Sequence, residues 1–166
     1  MVRKISVIAM FSAFAILAAY VETFIPTIGI PGAKLGLANI AVVLALYILD
    51  AESAIIVNVV RIVIVGLLFG SLISISFALA GAFLSLTVMI VLKKFFNFSI
   101  ITVSIFGGFF HNVGQIIVAK ILVGSYSILY YLPVLLIIGI VTGLIIGLLA
   151  RVLYERTGVL CKKILN

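Results

Sequence analysis

Residues 129–153 read LYYLPVLLIIGIVTGLIIGLLARVL, and the one charged side chain in that stretch, Arg151, stands near its end. A helix rises roughly 1.5 Å per residue and a bilayer's hydrocarbon core is about 30 Å thick, so such a run is long enough to cross it. Five more apolar runs precede it, at 5–24, 35–49, 53–70, 71–92 and 99–123, with breaks at Pro26, Pro31 and Gly32, at Asp50 to Ser53, and around Gly70-Ser71. The run 35–49 is short and is expected to be partly re-entrant. The pattern predicts an all-α, polytopic membrane protein, a bundle of about six transmembrane helices in a single domain over 1–166.

Composition requires the same answer. The chain is 66% hydrophobic and 9% charged, with a mean hydropathy of +1.55, whereas a soluble domain is about half apolar and a quarter charged. Four acids and eleven bases cannot cover a water-facing surface of this size, so lipid must cover much of it. The net charge of +7 does not point to nucleic acid, because the bases cluster at the ends of apolar runs. Arg3 and Lys4, Lys93 and Lys94, and Arg151, Arg156, Lys162 and Lys163 fall on one side of a six-span arrangement. That side is expected to be the cytoplasm, giving N-in/C-in topology in a bacterial cytoplasmic (inner) membrane, multi-pass. Arg3-Lys4 and the run behind it also have the form of a secretory signal, and are read here as a retained first helix. Cys161 is the single cysteine, which excludes an intrachain disulfide and reads as an incidental reduced thiol.

Polar groups inside hydrocarbon are costly and normally face protein or a water-filled cavity. Arg61 falls near the middle of the third run, with Asn58 one turn earlier on a similar face. In the fifth run Gly108, His111, Asn112 and Gln115 share about a quarter of the circumference. Lys34 and Asn39 flank the break before the second helix, and Glu22 and Lys120 fall near the outer rim. Arg61 has no acid at its own depth: Asp50 and Glu52 lie roughly 13 Å below it by helical rise, Glu155 is in the tail, and Glu22 is near the outer surface. Two readings stay open. Either an anion entering from outside completes the site, or Arg61 bonds helix carbonyls or Glu22 and ties helices together.

In the first reading the guanidinium holds phosphate or carboxylate through paired hydrogen bonds and Lys34 adds a flexible point charge. Asn39, Asn58, His111, Asn112 and Gln115 then orient the rest of the solute. His111 also reads as an interhelical hydrogen-bonding group. No second histidine or suitable cysteine accompanies it, so no metal site and no cofactor is expected. Phe109, Phe110, Tyr126, Tyr130 and Tyr131 read as lipid-facing or interfacial. The chain has no phosphate-cradling loop ending in lysine and serine, no Ser/His/Asp set and no paired carboxylates within a span, so it is not expected to be an enzyme or its own ATP motor.

Small residues mark where helices approach. Gly139, Gly143 and Gly147 recur every fourth residue and predict a smooth ridge for packing inside the bundle, as Gly66 and Gly70 do more briefly. Ala9 and Ala13, with Ala15 and Ala19 on a neighbouring stripe, make the first helix a candidate docking surface.

The stretch Ile30-Pro31-Gly32-Ala33-Lys34-Leu35-Gly36-Leu37-Ala38-Asn39-Ile40 resembles the most recognisable motif of a bacterial membrane family named either "Gx transporter" or "heptaprenyl diphosphate synthase component I". The likeness runs through nearly the whole chain. That family in turn resembles the substrate-binding S components of energy-coupling factor (ECF) transporters. The resemblance implies a six-helix bundle, an outward-facing pocket lined by the loop after the first helix, and docking of an Ala-x-x-x-Ala stripe, here Ala9 to Ala13, on a transmembrane coupling subunit that works with ATPases. It implies an anionic, vitamin-like substrate. The synthase name implies instead a noncatalytic membrane subunit, because prenyl diphosphate synthases hold magnesium with aspartate-rich motifs and the one aspartate here is Asp50.

Overall fold

Side chains that cap helices set the breaks between the runs. Asp50 accepts a hydrogen bond from the Ser53 backbone N–H at 2.8 Å, and Ser71 and Ser74 cap each other's backbone in a reciprocal box. Ser99 accepts from the Thr102 N–H at 3.3 Å. Each satisfies a donor that the first helical turn would leave unmade. At two helix ends the chain turns through the left-handed region, at Asn97 (φ 50°) and Gly124 (φ 66°).

The computed structural model describes residues 2–25, 35–124 and 130–165. Among them are six helices: α1 (Val2–Thr23), α2 (Asn39–Ile48), α3 (Ala51–Phe69), α4 (Leu72–Phe96), α5 (Ile100–Val123) and α6 (Leu132–Leu165). All except α2 are long and apolar enough to cross a membrane. The protein is an all-helical, multi-pass membrane bundle.

Contacts between helix ends establish the alternation. At one end the Lys4 ammonium lies 2.6 Å from Asp50 Oδ2, Lys93 Nζ donates to the Leu46 carbonyl, the Tyr47 hydroxyl donates to the Phe98 carbonyl at 2.8 Å, and the Tyr47 and Tyr154 rings meet edge-on at 6.3 Å. At the other end the Tyr20 and Phe69 rings lie 5.1 Å apart. The first of these is the basic end, and the start of α1 and the C-terminal part of α6 both belong to it.

Helix α2 sits in the middle of the bundle, with every residue from Ile40 to Leu46 buried. Its 10 residues rise only about 15 Å, half of a bilayer core. It therefore begins at mid-depth and ends at the basic end. The expectation of a short second run is met by a half-length helix preceded by non-helical Leu35 and Gly36 and a turn at Leu37-Ala38.

The glycine ridge of α6 packs as expected, against α5. A Cβ at Gly143 would stand 2.7 Å from the Ser104 carbonyl oxygen and 2.8 Å from Ile105 Cα, and one at Gly147 would stand 2.8 Å from Ile101 Cα. Gly114 does the same toward α4, where a Cβ would lie 2.6 Å from the Ala80 carbonyl. Such approaches let backbones touch, which is how helices associate where lipid is as apolar as leucine.

Three expectations need correction. Ala15 is fully buried and Ala19 is half-buried against a cavity, so the second alanine stripe faces inward, while Ala9 and Ala13 are exposed. Helix α6 does not end with its apolar run but continues to Leu165, 34 residues in all, so Glu155 lies on this helix, where it accepts from Arg151 Nε at 2.9 Å, and not in a separate tail. Cys161 is buried in the main core; a thiol packed there is part of the bundle. Lys34, Pro26, Pro31, Gly32 and Tyr126 lie outside the described residues.

Candidate functional site: a cation at the broken helix

Arg61 is on α3, about ten residues in from the basic end, and α2, running alongside, starts at Asn39 on the same level. The guanidinium bridges the two helices. Its Nε donates to Asn58 Oδ1 at 2.9 Å, and its Nη2 donates to Asn39 Oδ1 at 2.7 Å. Both partners are neutral amides, and among the described residues no carboxylate is in ion-pairing contact with it. A guanidinium has five N–H donors, so these two bonds leave three for another acceptor.

The backbone before α2 is the second element. Leu35 and Gly36 are non-helical at the level of Arg61, and Gly36 has φ +76°. Unpaired backbone at membrane depth is tolerated only where protein buries it or where it lines a polar cavity. Glu22, at the far end of α1, meets this need: its Oε1 accepts the Gly36 N–H at 2.5 Å. The Gly36 carbonyl in turn accepts the Asn39 N–H at 2.8 Å.

Two adjoining cavities meet at Arg61. The smaller, about 90 Å³, is lined by Asn39, Asn58, Arg61, His111, Asn112 and Gln115, together with Ser85, Ser104 and Thr142. The larger, about 390 Å³, is bounded by α1, α3, α4 and α6 and reaches from Arg61 to Phe69 and Gly70 at the end away from the basic residues. Glu22, Leu35, Arg61 and Thr142 line both.

Every described member of the residue set named from the sequence thus lines one chamber. They do not all face it with free groups. Asn112 is buried and its Nδ2 donates to the Leu135 carbonyl at 2.5 Å, so this amide joins α5 to α6. The Cε1 and Nδ1 edge of the His111 ring lies against Gly81 of α4. Lys120 is half-buried but lines neither cavity. Tyr130 and Tyr131 are exposed as expected, whereas Phe109 and Phe110 are half-buried and pack edge-on at 5.2 Å.

Sequence reasoning passed over Ser104 and Thr142. A signal existed for both. Ser104 extends the Gly108, His111 and Gln115 face of α5 by one turn, and Thr142 interrupts the glycine ridge of α6 with a hydroxyl. The Glu22 contact had no such signal, because it depends on where the chain returns after α1.

A bundle of long apolar helices with a charged, partly non-helical interior defines a polytopic membrane protein. Residues 11–153 match the family described as heptaprenyl diphosphate synthase component I, and the chain belongs to that family. Neither a curated protein nor a solved structure matches it.

Proposed function

We propose that this chain is a membrane-embedded substrate-binding subunit, S-component-like, of a small-molecule importer, and that it captures an anionic solute from outside. The observation that carries this reading is Arg61: a cation at mid-depth, held by neutral amides where a helix breaks off, on the wall of a cavity that reaches the end opposite the basic cluster. Holding a charge at that depth is expensive, and a half-helix start facing a cavity is a recurrent way to seat an ion or solute in membrane proteins. The positive-inside rule puts the basic end in the cytoplasm and the cavity mouth outside.

In this reading Arg61 and Lys34 hold the anionic group, and Asn39, Asn58, His111 and Gln115 orient the remainder, with Asn112 fixing the wall. The exposed Ala9 and Ala13 dock on a coupling subunit that brings ATPases, since the chain contains no nucleotide loop. The family description brings a second reading, a noncatalytic subunit beside a prenyl diphosphate synthase. Asp50 is ion-paired with Lys4, which leaves no aspartate set to hold the metal that such catalysis needs.

Native mass spectrometry of gently extracted protein tests the proposal. The wild type retains a small anion, and Arg61→Met loses it while still folding. A wild type that carries nothing and gains no thermal stability from any anion overturns the reading. Co-purification of an aspartate-rich enzyme in place of a small molecule supports the second.

A further inference from the structure

The two cavities differ in chemistry, and the difference describes what they would hold. In the larger one the hydroxyls are turned back on their own helices. Thr23 Oγ1 donates to the Tyr20 carbonyl at 2.7 Å, Ser74 Oγ to the Ser71 carbonyl at 2.8 Å, and Thr142 Oγ1 to the Ile138 carbonyl at 2.9 Å. Their donors are engaged, so the wall offers a solute mainly aliphatic and aromatic surface from Ile62, Val65, Phe69, Ile75 and Ile138. A sugar or nucleotide placed there would leave its own polar groups without partners, each at a cost of about 1–3 kcal/mol. From Arg61 to Phe69 the cavity follows eight residues of α3, roughly 12 Å by helical rise.

The charges limit the headgroup. Among the described residues the cavity wall holds one cation, Arg61, and one acid, Glu22. A group with one negative charge is neutralised by the guanidinium. Each further negative charge would meet Glu22 on the same wall, and in a medium of low dielectric that repulsion is large.

We infer that the ligand is an amphiphilic monoanion, its single acidic group on Arg61 at the junction of the two cavities and an apolar body of about 12 Å along α3 toward the outer end. This rests on the proposed capture function and narrows it to one substrate class.

The test uses the full chain in lipid nanodiscs, with binding read from ligand-dependent thermal stabilisation. Four probes separate the parts: naphthoate, naphthyl methanol, acetate and geranyl diphosphate. Naphthoate binds at least about tenfold more tightly than acetate, which lacks the body, and than the alcohol, which lacks the charge. Arg61→Met lowers naphthoate to the level of the alcohol. Ala78→Phe, which fills the cavity from α4, lowers naphthoate to the level of acetate and leaves acetate unchanged. Equal binding of acetate and naphthoate overturns the amphiphile, and tighter binding of geranyl diphosphate than of naphthoate overturns the single charge, while both leave anion capture intact. Equal binding of naphthoate and its alcohol, or binding of none of the four, overturns both.

Discussion

The α5–α6 seam and the space between α1, α3 and α4 are built from the same small residues with opposite results. On the seam, Gly143 and Gly147 meet backbone atoms of α5, and a Cβ at Gly108 would run into the Gly139 carbonyl. Backbone cannot rotate aside. In the other region Gly66 faces the Ile75 side chain, whose Cγ1 would overlap an added Cβ and whose Cδ1 would lie 2.8 Å from it, and beside it the bundle opens into the 390 Å³ cavity. Glycine therefore closes one half of the bundle and lets a movable side chain line the other. If the proposed capture role holds, the closed half gives Asn112 and Gln115 a fixed wall and the open half gives a solute space to enter.

The strongest way to break this contrast is Gly143→Val. With backbone on two sides, the helices must separate, and overpacking of this kind costs about 1–3 kcal/mol or more. The expected result is loss of monodisperse folded protein in mild detergent, or a melting temperature lower by about 5 °C or more. A variant as stable as wild type would mean that the seam is looser than its geometry.

Next in size is Lys93→Met. Helix α2 ends at the basic end with Leu46 buried, and Lys93 supplies a donor to the Leu46 carbonyl while its ammonium lies 5.1 Å from the centre of the Tyr47 ring. Removing a charged donor from a buried acceptor costs about 1–3 kcal/mol. Thermal unfolding should show the loss, and Lys93→Arg should recover part of it. Because this contact holds the half-length helix from below, anion binding at its other end should persist in the variant.

Gly66→Ala sharpens the comparison from the open side. Alanine is the better helix former by about 1 kcal/mol, and Ile75 can turn away, so stability should change by less than about 1 kcal/mol in either direction. Ile75 then moves toward the cavity. Ligand-dependent stabilisation should fall several-fold with little change in the unliganded melting temperature, a separation that Gly143→Val cannot give.

How much of this was readable in advance depends on whether the cause was local. The start of α3 was legible because Asp50 and Ser53 are neighbours and cap within one turn, and the polar face of α5 was legible because helical periodicity alone brings His111 and Gln115 together. The end of α6 was not, because Arg151 ends the apolar run without ending the helix; charged residues leave lipid and remain good helix formers. The start of α2 was misplaced by a few residues for a similar reason: Leu35 to Ala38 are apolar, and only the path of the backbone through Gly36 shows that they precede the helix. Arg61 was found from depth and charge. Asn39 and Asn58 were legible as polar groups near it, but that their side-chain oxygens accept from the guanidinium was not.

The smallest expected effect concerns a contact within the open half. Lys4 on α1 reaches Asp50 at the start of α3. Burial works against the Asp50 charge, but the Lys4 ammonium and the hydrogen bonds from Ser53 outweigh it and hold the carboxyl at about 2, below its ordinary 3.8. A carboxyl whose folded value is depressed contributes stability that is complete above the ordinary value and is lost as pH falls through the folded one. Asp50→Asn isolates the charge, since asparagine caps a helix as well as aspartate does. Both partners are more than 40% exposed, so the difference at neutral pH should stay below about 1 kcal/mol and shrink in high salt. Thermal unfolding of both proteins between pH 6 and pH 2 should show the gap narrowing below pH 4 and closing near pH 2. A gap indifferent to pH and salt would assign the fastening of α1 to the buried Val7, Phe11 and Ala15.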